Sequence, residues 1–321
     1  MKPVFIGGCH RSGTTLLGAL LGAHPQCLTT PESQFKTDAL KGVGVPQTES
    51  QWTAVLERAG GMRSLSRWSV SDGLLGDAAG SADRDYAALL LRMVDEFARS
   101  SGRGRFDVWV DHTPKNIWHL ETLLGLYPEG KAIHIVRDGR GVAASVMGLD
   151  WGPNTVIAAA HWWIHHVAFG LAAESRFGER VLRVRYEDLV ATPQPELERI
   201  CEWLGIDYVA AMESGGGFNY PKGMFRYHSL IHDAPDPSRM TAWRGALSLR
   251  QIASFESCAC DLLPYLGYDL LNDYAQAALT DRLQTLLVEP AMIAVNGIRF
   301  RLWRAKKDRM LARRAERHRD G

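Results

Sequence analysis

The strongest constraint on the fold is a short apolar segment that passes through a glycine-rich turn into an apolar helical pattern. Residues 3–17 read PVFIGGCHRSGTTLL. A turn of this kind exposes backbone N–H groups at the start of a helix, where the helix dipole also favours negative charge. The segment therefore predicts an α/β fold with an anion-binding turn near its first strand.

Four further short apolar runs predict additional buried strands, and helical patterns separate most of them. Strands followed by helices indicate βαβ units and a parallel sheet with both faces covered. We therefore predict an α/β fold like that of P-loop nucleotide triphosphatases, with about five strands flanked by helices. The strands are expected at 4–6, 26–28, 107–110, 132–136 and 181–184, and the helices at 15–23, 86–98, 117–125, 142–147 and 155–173.

The chain is predicted to form a single α/β domain over residues 1–298, followed by a basic tail at 299–321. Residues of about 40–105 read as a helical insertion, and a helical extension precedes the tail. Residues 214–240 are rich in Gly, Pro and His and read as a long loop, which in a compact domain is often functional.

Charge and composition exclude several classes of protein. The tail holds ten Lys/Arg against three Asp/Glu; because the whole chain is +1, the first 298 residues carry −6, which does not suit a nucleic-acid binder. The five scattered cysteines form no C-x-x-C pair, which argues against a disulfide framework or a zinc site. With no apolar run of about 18 residues and no signal-peptide layout, we expect a cytoplasmic protein.

The glycine-rich turn departs from the nucleotide-binding P-loop at one position. From Gly8 it reads GCHRSGTT, close to G-x-x-x-x-G-K-[ST], but Thr14 stands where the lysine belongs. That lysine reaches the β and γ phosphates of a nucleoside triphosphate. Its loss argues against a polyphosphate with metal and favours a smaller anionic group held by hydroxyls and Arg11. A tight strand–helix turn without a ligand is the alternative.

The run RSGTT, followed by LLxxLLxAHP, resembles the phosphosulfate-binding loop of sulfotransferases that use 3′-phosphoadenosine 5′-phosphosulfate (PAPS), notably the tyrosylprotein and bacterial-type branches. The resemblance implies that Arg11, Ser12, Gly13, Thr14 and Thr15 bind the 5′-phosphosulfate, that the product is PAP, and that no metal is needed.

A second strand–turn–helix segment, AIHIVRDGRGVAASVM at 132–147, resembles the 3′-phosphate site of the same family. The resemblance implies that Arg137 and Ser145 bind the 3′-phosphate. The alternative is that Arg137 pairs with Asp138 and Ser145 is a plain helix serine. The segment beginning Trp243-Arg244 resembles the family's C-terminal basic segment, so Arg244, or Arg239, is a candidate to close over the nucleotide.

The resemblance also suggests catalytic residues. Arg11 would stabilise the bridging oxygen as the nucleotide leaves. Glu32 lies 21 residues after Arg11, as does the catalytic glutamate of the tyrosylprotein branch, and would be the base; capping a helix or binding an arginine is its alternative role. His112, where the family more often has lysine, is the competing base or acid.

The acceptor is expected to present a hydroxyl or amine on a small molecule, carbohydrate, lipid or peptide. Its pocket is expected in the insertion and the long loop, whose aromatic residues are Trp52, Trp68, Phe218, Tyr220, Phe225 and Tyr227. The basic tail would either lie on an anionic membrane surface or be a solvated helix docked on the negative body.

Two rival functions remain open at the level of sequence. The first is a P-loop phosphotransferase or kinase, in which Asp111 at the end of an apolar strand would bind Mg²⁺. The second is a nucleotide-binding module without catalysis.

Overall fold

The five predicted apolar runs form one parallel sheet in the computed structural model, which describes residues 1–62, 64–68, 70–218, 235–272 and 276–317. The strand order is β2-β3-β1-β4-β5 and every neighbouring pair is parallel, which confirms the predicted fold class. The strands are β1 Lys2–Gly8, β2 Cys27–Thr30, β3 Val108–Asp111, β4 Lys131–Val136 and β5 Val181–Arg185.

Helices connect the strands and continue after the last one. Five of them coincide with predicted helical patterns, with ends that differ by a few residues. A 3₁₀ helix at Pro114–His119 precedes α6. The α-helices are α1 Thr14–Gly22, α2 Phe35–Asp38, α3 Glu49–Gly60, α4 Asp72–Gly80, α5 Tyr86–Ser100, α6 Leu120–Leu126, α7 Gly139–Val146, α8 Val156–Phe177, α9 Tyr186–Ala191, α10 Pro193–Leu204, α11 Ser238–Thr241, α12 Trp243–Ala246, α13 Leu249–Ala259, α14 Leu262–Tyr265 and α15 Leu279–Arg317.

Alternate residues of the strands point to opposite faces of the sheet, and each face has its own apolar core. Phe5 and Trp109 lie in one core together with residues of α3 and α5. Ile6 and Val110 lie in the other, together with residues of α1 and α10. Because both faces are covered, the central strands β1, β3 and β4 are almost fully buried and mostly apolar, which is why they were visible in the sequence.

The strand order creates a crevice at the carboxyl ends of β1 and β4. The chain passes from β1 to β2 and β3 on one side and returns to β4 and β5 on the other, so the connections leaving β1 and β4 diverge. Open α/β sheets bind ligands at such a switch point. Gly8 pairs with Ile135, so the turn after β1 and Arg137 after β4 leave the sheet side by side.

The chain divides into two compact units. Met1–Arg137 with His166–Met240 form the first unit, which holds the whole sheet, and Asp138–His165 with Thr241–Gly321 form the second. In the second unit, the Trp163 and Phe255 rings lie 5.8 Å apart, and buried Arg140 pairs with Asp138 at 2.8 Å and Glu256 at 2.5 Å. The predicted boundary at residue 298 falls inside the continuous helix α15 and stays a prediction.

The aromatic residues expected to line an acceptor pocket belong to the apolar core where the structure describes them. Trp52 and Trp68 are each 1% exposed, and their indole N–H groups donate to the carbonyls of Ala78 and Pro31. Phe218 is 4% exposed. The expectation was wrong for these three, because aromatic content alone does not distinguish a pocket wall from a packed core. Tyr220, Phe225 and Tyr227 lie outside the described residues.

In the part of the chain that the structure describes, one helix is long and apolar enough to span a membrane, although the sequence shows no uninterrupted apolar run. Val156–Arg180 has a mean hydropathy of 1.3 over its most apolar window, half of which is buried inside the protein. A core helix passes the same test of length and composition. This finding therefore assigns no membrane span.

Candidate functional site

The turn between β1 and α1, residues 9–13, is here called the anion loop, and its backbone is shaped by two residues with positive φ. Arg11 has φ +73° and Gly13 has φ +100°. The Ser12 N–H donates to the Cys9 carbonyl at 3.1 Å, and α1 begins directly afterwards at Thr14. This geometry brings the loop to the amino end of α1, where backbone donors and the helix dipole favour an anion.

Ser12 adds a buried hydroxyl group to the anion loop. Its side chain is 0% exposed, and its Oγ has no hydrogen-bond partner among the described residues. A buried hydroxyl without a partner costs free energy, and such groups are common where a ligand supplies the missing bond. Ser12 therefore fits a loop that receives an oxyanion.

Arg137 lies against the anion loop, as the strand register requires. One Nη donates to the Arg11 carbonyl and the other to the Arg239 carbonyl, each at 2.9 Å. The guanidinium lies over the Tyr186 ring, 4.3 Å from its centroid. Stacking on the ring and bonding to two carbonyls fix the plane of this cation.

Three arginines concentrate positive charge at this point. Removal from solvent, followed by repulsion from Arg137 and Arg239, lowers the pKa of Arg11. Arg239 also forms an ion pair with Asp236 at 3.4 Å. Cations held this close repel one another, so a bound anion would relieve the repulsion.

Glu32 follows β2 and is held in an environment that disfavours its ionised form. Burial raises the pKa of Glu32, and the nearby Asp111 charge adds to this, while a hydrogen bond from Gln34 Nε2 at 2.6 Å and the charges of Arg67 and Lys36 act in the opposite direction. A carboxylate with a raised pKa is a stronger base than a solvated one. Glu32 caps no helix by side-chain hydrogen bonding, since α2 starts after Gln34 without a side-chain cap.

A buried network centred on an ion pair holds the segment that carries Glu32. Lys36 and Asp111 are 1% and 0% exposed, and Lys36 Nζ lies 2.8 Å from an Asp111 carboxylate oxygen. Lys36 also donates to Asn116 Oδ1 at 2.6 Å, and the Ser33 hydroxyl donates to Asp111. The Ser33 N–H donates to Thr113 Oγ1 at 2.8 Å. The network ties the ends of β2 and β3 together.

The same network removes Asp111 from the role that the rival phosphotransferase reading assigned to it. Both of its carboxylate oxygens are bonded by protein donors, including the Thr113 N–H at 2.9 Å and Asn116 Nδ2 at 3.2 Å. A Mg²⁺ ligand needs an oxygen free to coordinate. Over the described ranges, no group of three or more His, Cys, Asp or Glu has a metal-binding arrangement.

His112 is the neighbour of Asp111 but faces a closely packed environment. Its side chain is 0% exposed, and its ring lies edge-on to Phe218, with centroids 4.7 Å apart. A Cβ added to Gly18 of α1 would lie 2.9 Å from the His112 Cβ. The candidate histidine is therefore enclosed by α1 and Phe218.

A histidine within the anion loop, partly exposed His10, was not singled out from the sequence. His10 lies 5.9 Å from the ring of His166, which in turn lies 4.5 Å from Trp118. Burial, followed by the positive surroundings of His166, Lys115 and Arg11, lowers the pKa of His10 to about 3. His10 is therefore neutral near pH 7 and adds no charge to the site.

The remaining predicted residues, Ser145 and Arg244, belong to the second unit. Ser145 lies in the last turn of α7, partly exposed. Asp138 caps that helix by accepting the Arg140 N–H at 2.9 Å. Arg244 is exposed on α12, with its guanidinium 4.9 Å from the centre of the Trp243 ring. Within the first unit, the structure brings the anion loop and Arg137 together. The binding roles of Ser145 and Arg244 stay predictions.

Comparison with models of protein families identifies the enzyme class of the chain. A model described as "Sulfotransferase family" matches residues 3–210, which include the whole sheet, the anion loop and Arg137. The chain belongs to the sulfotransferase family. The protein is therefore a sulfotransferase, and the alternative prediction of a kinase is not supported.

Two relatives illustrate the range of this family. Nodulation protein NoeE of Sinorhizobium fredii (strain NBRC 101917 / NGR234) is 27% identical over 308 residues, covering 87% of this chain and 69% of that protein. Protein-tyrosine sulfotransferase A of Caenorhabditis elegans is 26% identical over 279 residues, covering 83% of this chain and 67% of that protein.

Solved structures agree on the fold of this sulfotransferase. The sulfotransferase domain from the Synechococcus PCC 7002 olefin synthase superposes with a TM-score of 0.60 at 23% identity, covering 84% of this chain and 96% of that one. The sulfotransferase domain from the curacin biosynthetic pathway gives a TM-score of 0.58 at 20% identity, with 84% and 98% covered. At these identities the likeness concerns the fold.

Proposed function

We propose that the protein transfers a sulfuryl group from PAPS to a hydroxyl or amine of its acceptor. The observation that carries the proposal is the convergence of Arg11, Arg137 and Arg239 on an anion loop that lacks the P-loop lysine. This charge suits a phosphosulfate and an additional phosphate better than a triphosphate that brings its own metal.

The described residues fit PAPS at its phosphosulfate end. The anion loop would receive the 5′-phosphosulfate through backbone N–H groups and through the hydroxyls of Ser12, Thr14 and Thr15. Arg137, held by Tyr186 and two carbonyls, would contribute to the 3′-phosphate site together with Ser145. Arg244 is proposed to close over the nucleotide.

PAPS supplies an activated sulfuryl group, and the protein supplies positioning, charge and a base. In the proposed reaction the acceptor oxygen or nitrogen bonds to sulfur as the bond between sulfur and the bridging oxygen breaks. Arg11 would stabilise the negative charge that collects on that oxygen, and PAP leaves. The acceptor proton passes to Glu32.

Glu32 suits the role of base better than His112. Glu32 is partly exposed beside the network of Lys36 and Asp111, and burial has raised its pKa. Among the described residues His112 is 0% exposed and packs between Gly18 and Phe218, so its ring is less accessible to an acceptor. We therefore assign His112 a packing role near the base.

The acceptor class is proposed from chemistry and from the names of relatives. Relatives are named for sulfation of protein tyrosine and of carbohydrates, and both acceptors present a hydroxyl. A tyrosine-containing peptide and an oligosaccharide are therefore the first acceptors to screen, followed by small molecules and lipids with a hydroxyl or amine.

Calorimetric titration with PAP in the presence of EDTA tests the nucleotide site. We expect PAP to bind, ATP to bind at least tenfold more weakly, and Arg137→Ala to weaken PAP binding about 10- to 100-fold, because a charge-assisted hydrogen bond to phosphate is lost. Arg176→Ala, an exposed arginine at the end of α8, is the matched control and should bind as the wild type does. ATP binding that requires Mg²⁺, without PAP binding, would contradict the proposal.

A further inference from the structure

In the first half of α15 one side packs polar residues against the protein and the opposite side exposes apolar residues, which is the reverse of an ordinary surface helix. The packed side, here called the anchored face, consists of Asp281, Thr285, Glu289 and Asn296. The opposite side, here called the apolar stripe, consists of Leu279, Leu283, Leu286, Leu287, Ile293 and Ile298.

The anchored face holds α15 to the rest of the second unit by hydrogen bonds. Asp281, 1% exposed, accepts from the Ser254 hydroxyl at 2.7 Å. Glu289 accepts the Asn154 N–H at 2.9 Å, and the Thr285 and Thr155 hydroxyls lie 3.0 Å apart. Residues 281, 285 and 289 follow at intervals of four, so they share one helix face. This pattern fixes the rotation of the helix.

With that rotation, the apolar stripe is turned away from the second unit. Leu286 and Leu287 are 70% and 71% exposed, and Ile293 is 61% exposed. At 3.6 residues per turn, the six members of the stripe fall within an arc of roughly 140°. A contiguous exposed apolar surface of this kind marks an interaction site.

We propose that the apolar stripe is a membrane-docking surface, which lies in the plane of an anionic lipid surface. Charge favours this occupant. Arg282 lies at the edge of the stripe, and Arg299 and Arg301 follow its last member, Ile298, in the chain; all three are exposed. The chain then continues through residues 299–321, which carry ten Lys/Arg against three Asp/Glu. Apolar residues that enter the headgroup region, flanked by cations that attract anionic lipid, are the composition of an interfacial helix.

A second copy of the chain suits the stripe less well. From Arg282 to Lys307 the only carboxylate is Glu289, and the Asn154 contacts already engage it. An antiparallel pair of stripes would place Arg282 near Arg299 and Arg301 of the other copy, and a parallel pair would align identical cations. Neither pairing offers a carboxylate to offset the repulsion.

The test is sedimentation of the full chain with phosphatidylcholine vesicles, with and without phosphatidylserine. We expect binding to the phosphatidylserine vesicles that weakens with salt, and a loss of at least about tenfold in Leu283→Glu/Leu287→Glu. Leu249→Glu, at a 77% exposed leucine outside α15, is the matched control and should leave binding unchanged. Arg299→Gln/Arg301→Gln removes charge without touching the stripe and should weaken binding about tenfold.

The proposal is overturned if the wild type does not sediment with anionic vesicles, or if Leu283→Glu/Leu287→Glu binds as tightly as the wild type. A dimer in lipid-free light scattering that dissociates in this variant would also overturn it, since the stripe would then join two copies. Thermal unfolding of each variant separates a local effect from misfolding. The inference does not depend on the nature of the sulfuryl donor or acceptor.

Discussion

The surroundings of Glu32 allow a prediction of how the reaction rate depends on pH. Its pKa is raised above 4.5, chiefly by burial, so the ionised form needed to accept a proton appears at a higher pH than in a solvated glutamate. We expect kcat to rise with pH through that raised pKa. Glu32→Gln should lower kcat about 100-fold or more while PAP affinity stays unchanged.

The pH profile of single-turnover sulfuryl transfer, followed in the wild type and Gln34→Leu, refines this assignment. Gln34 donates to the Glu32 carboxylate and thereby lowers its pKa. Its replacement should move the acid limb of the profile to higher pH. An acid limb that persists in Glu32→Gln would assign the titration to another group and refute Glu32 as the base.

Replacing Lys36, which pairs with Asp111 inside the protein, should destabilise the fold more than replacing a surface lysine does. Lys36→Met leaves Asp111 buried without its counter-ion, which typically costs about 3–5 kcal/mol. Lys41→Met removes an exposed lysine that pairs with Asp38 at 2.7 Å, and this control should cost at most about 1 kcal/mol. Urea unfolding at pH 7 measures both; equal costs would show that the buried pair contributes no more than a surface pair.

The pH dependence of stability offers a second test of the pair formed by Lys36 and Asp111. Burial alone would raise the pKa of Asp111, but Lys36 and the hydrogen bonds around it prevail and lower it to about 2. The folded pKa lies below the ordinary value of 3.8, so the ionised carboxylate stabilises the fold above that pH, and this stability is lost as pH falls towards 2. Lys36→Met should flatten this loss between pH 4 and 2.

At the scale of elements, the anion loop requires a glycine at position 13 for two separate reasons. Gly13 has φ +100°, and an added Cβ would lie 2.6 Å from Cδ2 of Tyr186, the ring that supports Arg137. Gly42 has φ +71° with nothing within 4 Å of an added Cβ. Both substitutions to alanine should cost about 1–2 kcal/mol for the backbone. Only Gly13→Ala should also weaken PAP binding.

Titration calorimetry and urea unfolding of the two alanine variants separate the effects. If Gly42→Ala weakens PAP binding as much as Gly13→Ala does, the loss reflects overall stability, and the support of Arg137 by Tyr186 is unimportant. If Gly13→Ala binds PAP normally, the anion loop does not depend on that contact.

The sequence predicted the strands that are buried along their whole length. It did not predict the buried charged residues, because their burial depends on a partner from a distant part of the chain. The central strands are buried on both faces, so they appear as apolar runs, and the register of β1 with β4 accounts for Arg137 beside Arg11. The pairing of Lys36 with Asp111 joins α2 to the end of β3, between residues 75 positions apart in the chain, and no local pattern signals it.

Side-chain orientation was the other property that the sequence left open. Trp52 and Trp68 read as possible pocket residues, but their indole N–H groups are satisfied by carbonyls inside the core. On the anchored face of α15 the packed residues are polar, since Asp281 and Glu289 accept hydrogen bonds from Ser254 and Asn154. Both cases depend on hydrogen-bond partners from distant segments, which periodicity does not specify.

At the scale of the whole molecule, the end of the folded part can be tested by truncation. The side-chain hydrogen bonds described for α15 are made by residues from Thr280 to Asn296. We therefore expect a chain ending at Ile298 to keep the Tm and the PAP affinity of the full chain. A chain ending at Ala278 loses the contacts of buried Asp281 and of half-buried Glu289 and should unfold several degrees lower.

Differential scanning calorimetry of the three chain lengths checks this prediction. If removing residues 299–321 lowers the Tm, the folded part of the protein extends beyond Ile298. An unchanged Tm for the chain ending at Ala278 would instead show that the anchored face of α15 contributes nothing to stability.

The central position of β1 has a consequence for synthesis on the ribosome. Lys2–Gly8 is made before the other four strands, yet its partners are Val108–Asp111 and Lys131–Val136. At about 5–20 residues per second, the wait for the first partner lasts roughly 5–20 s. During that time an apolar strand without neighbours leaves the exit tunnel. Newly made chains should therefore need protection by a chaperone until about the first third of the protein has been translated.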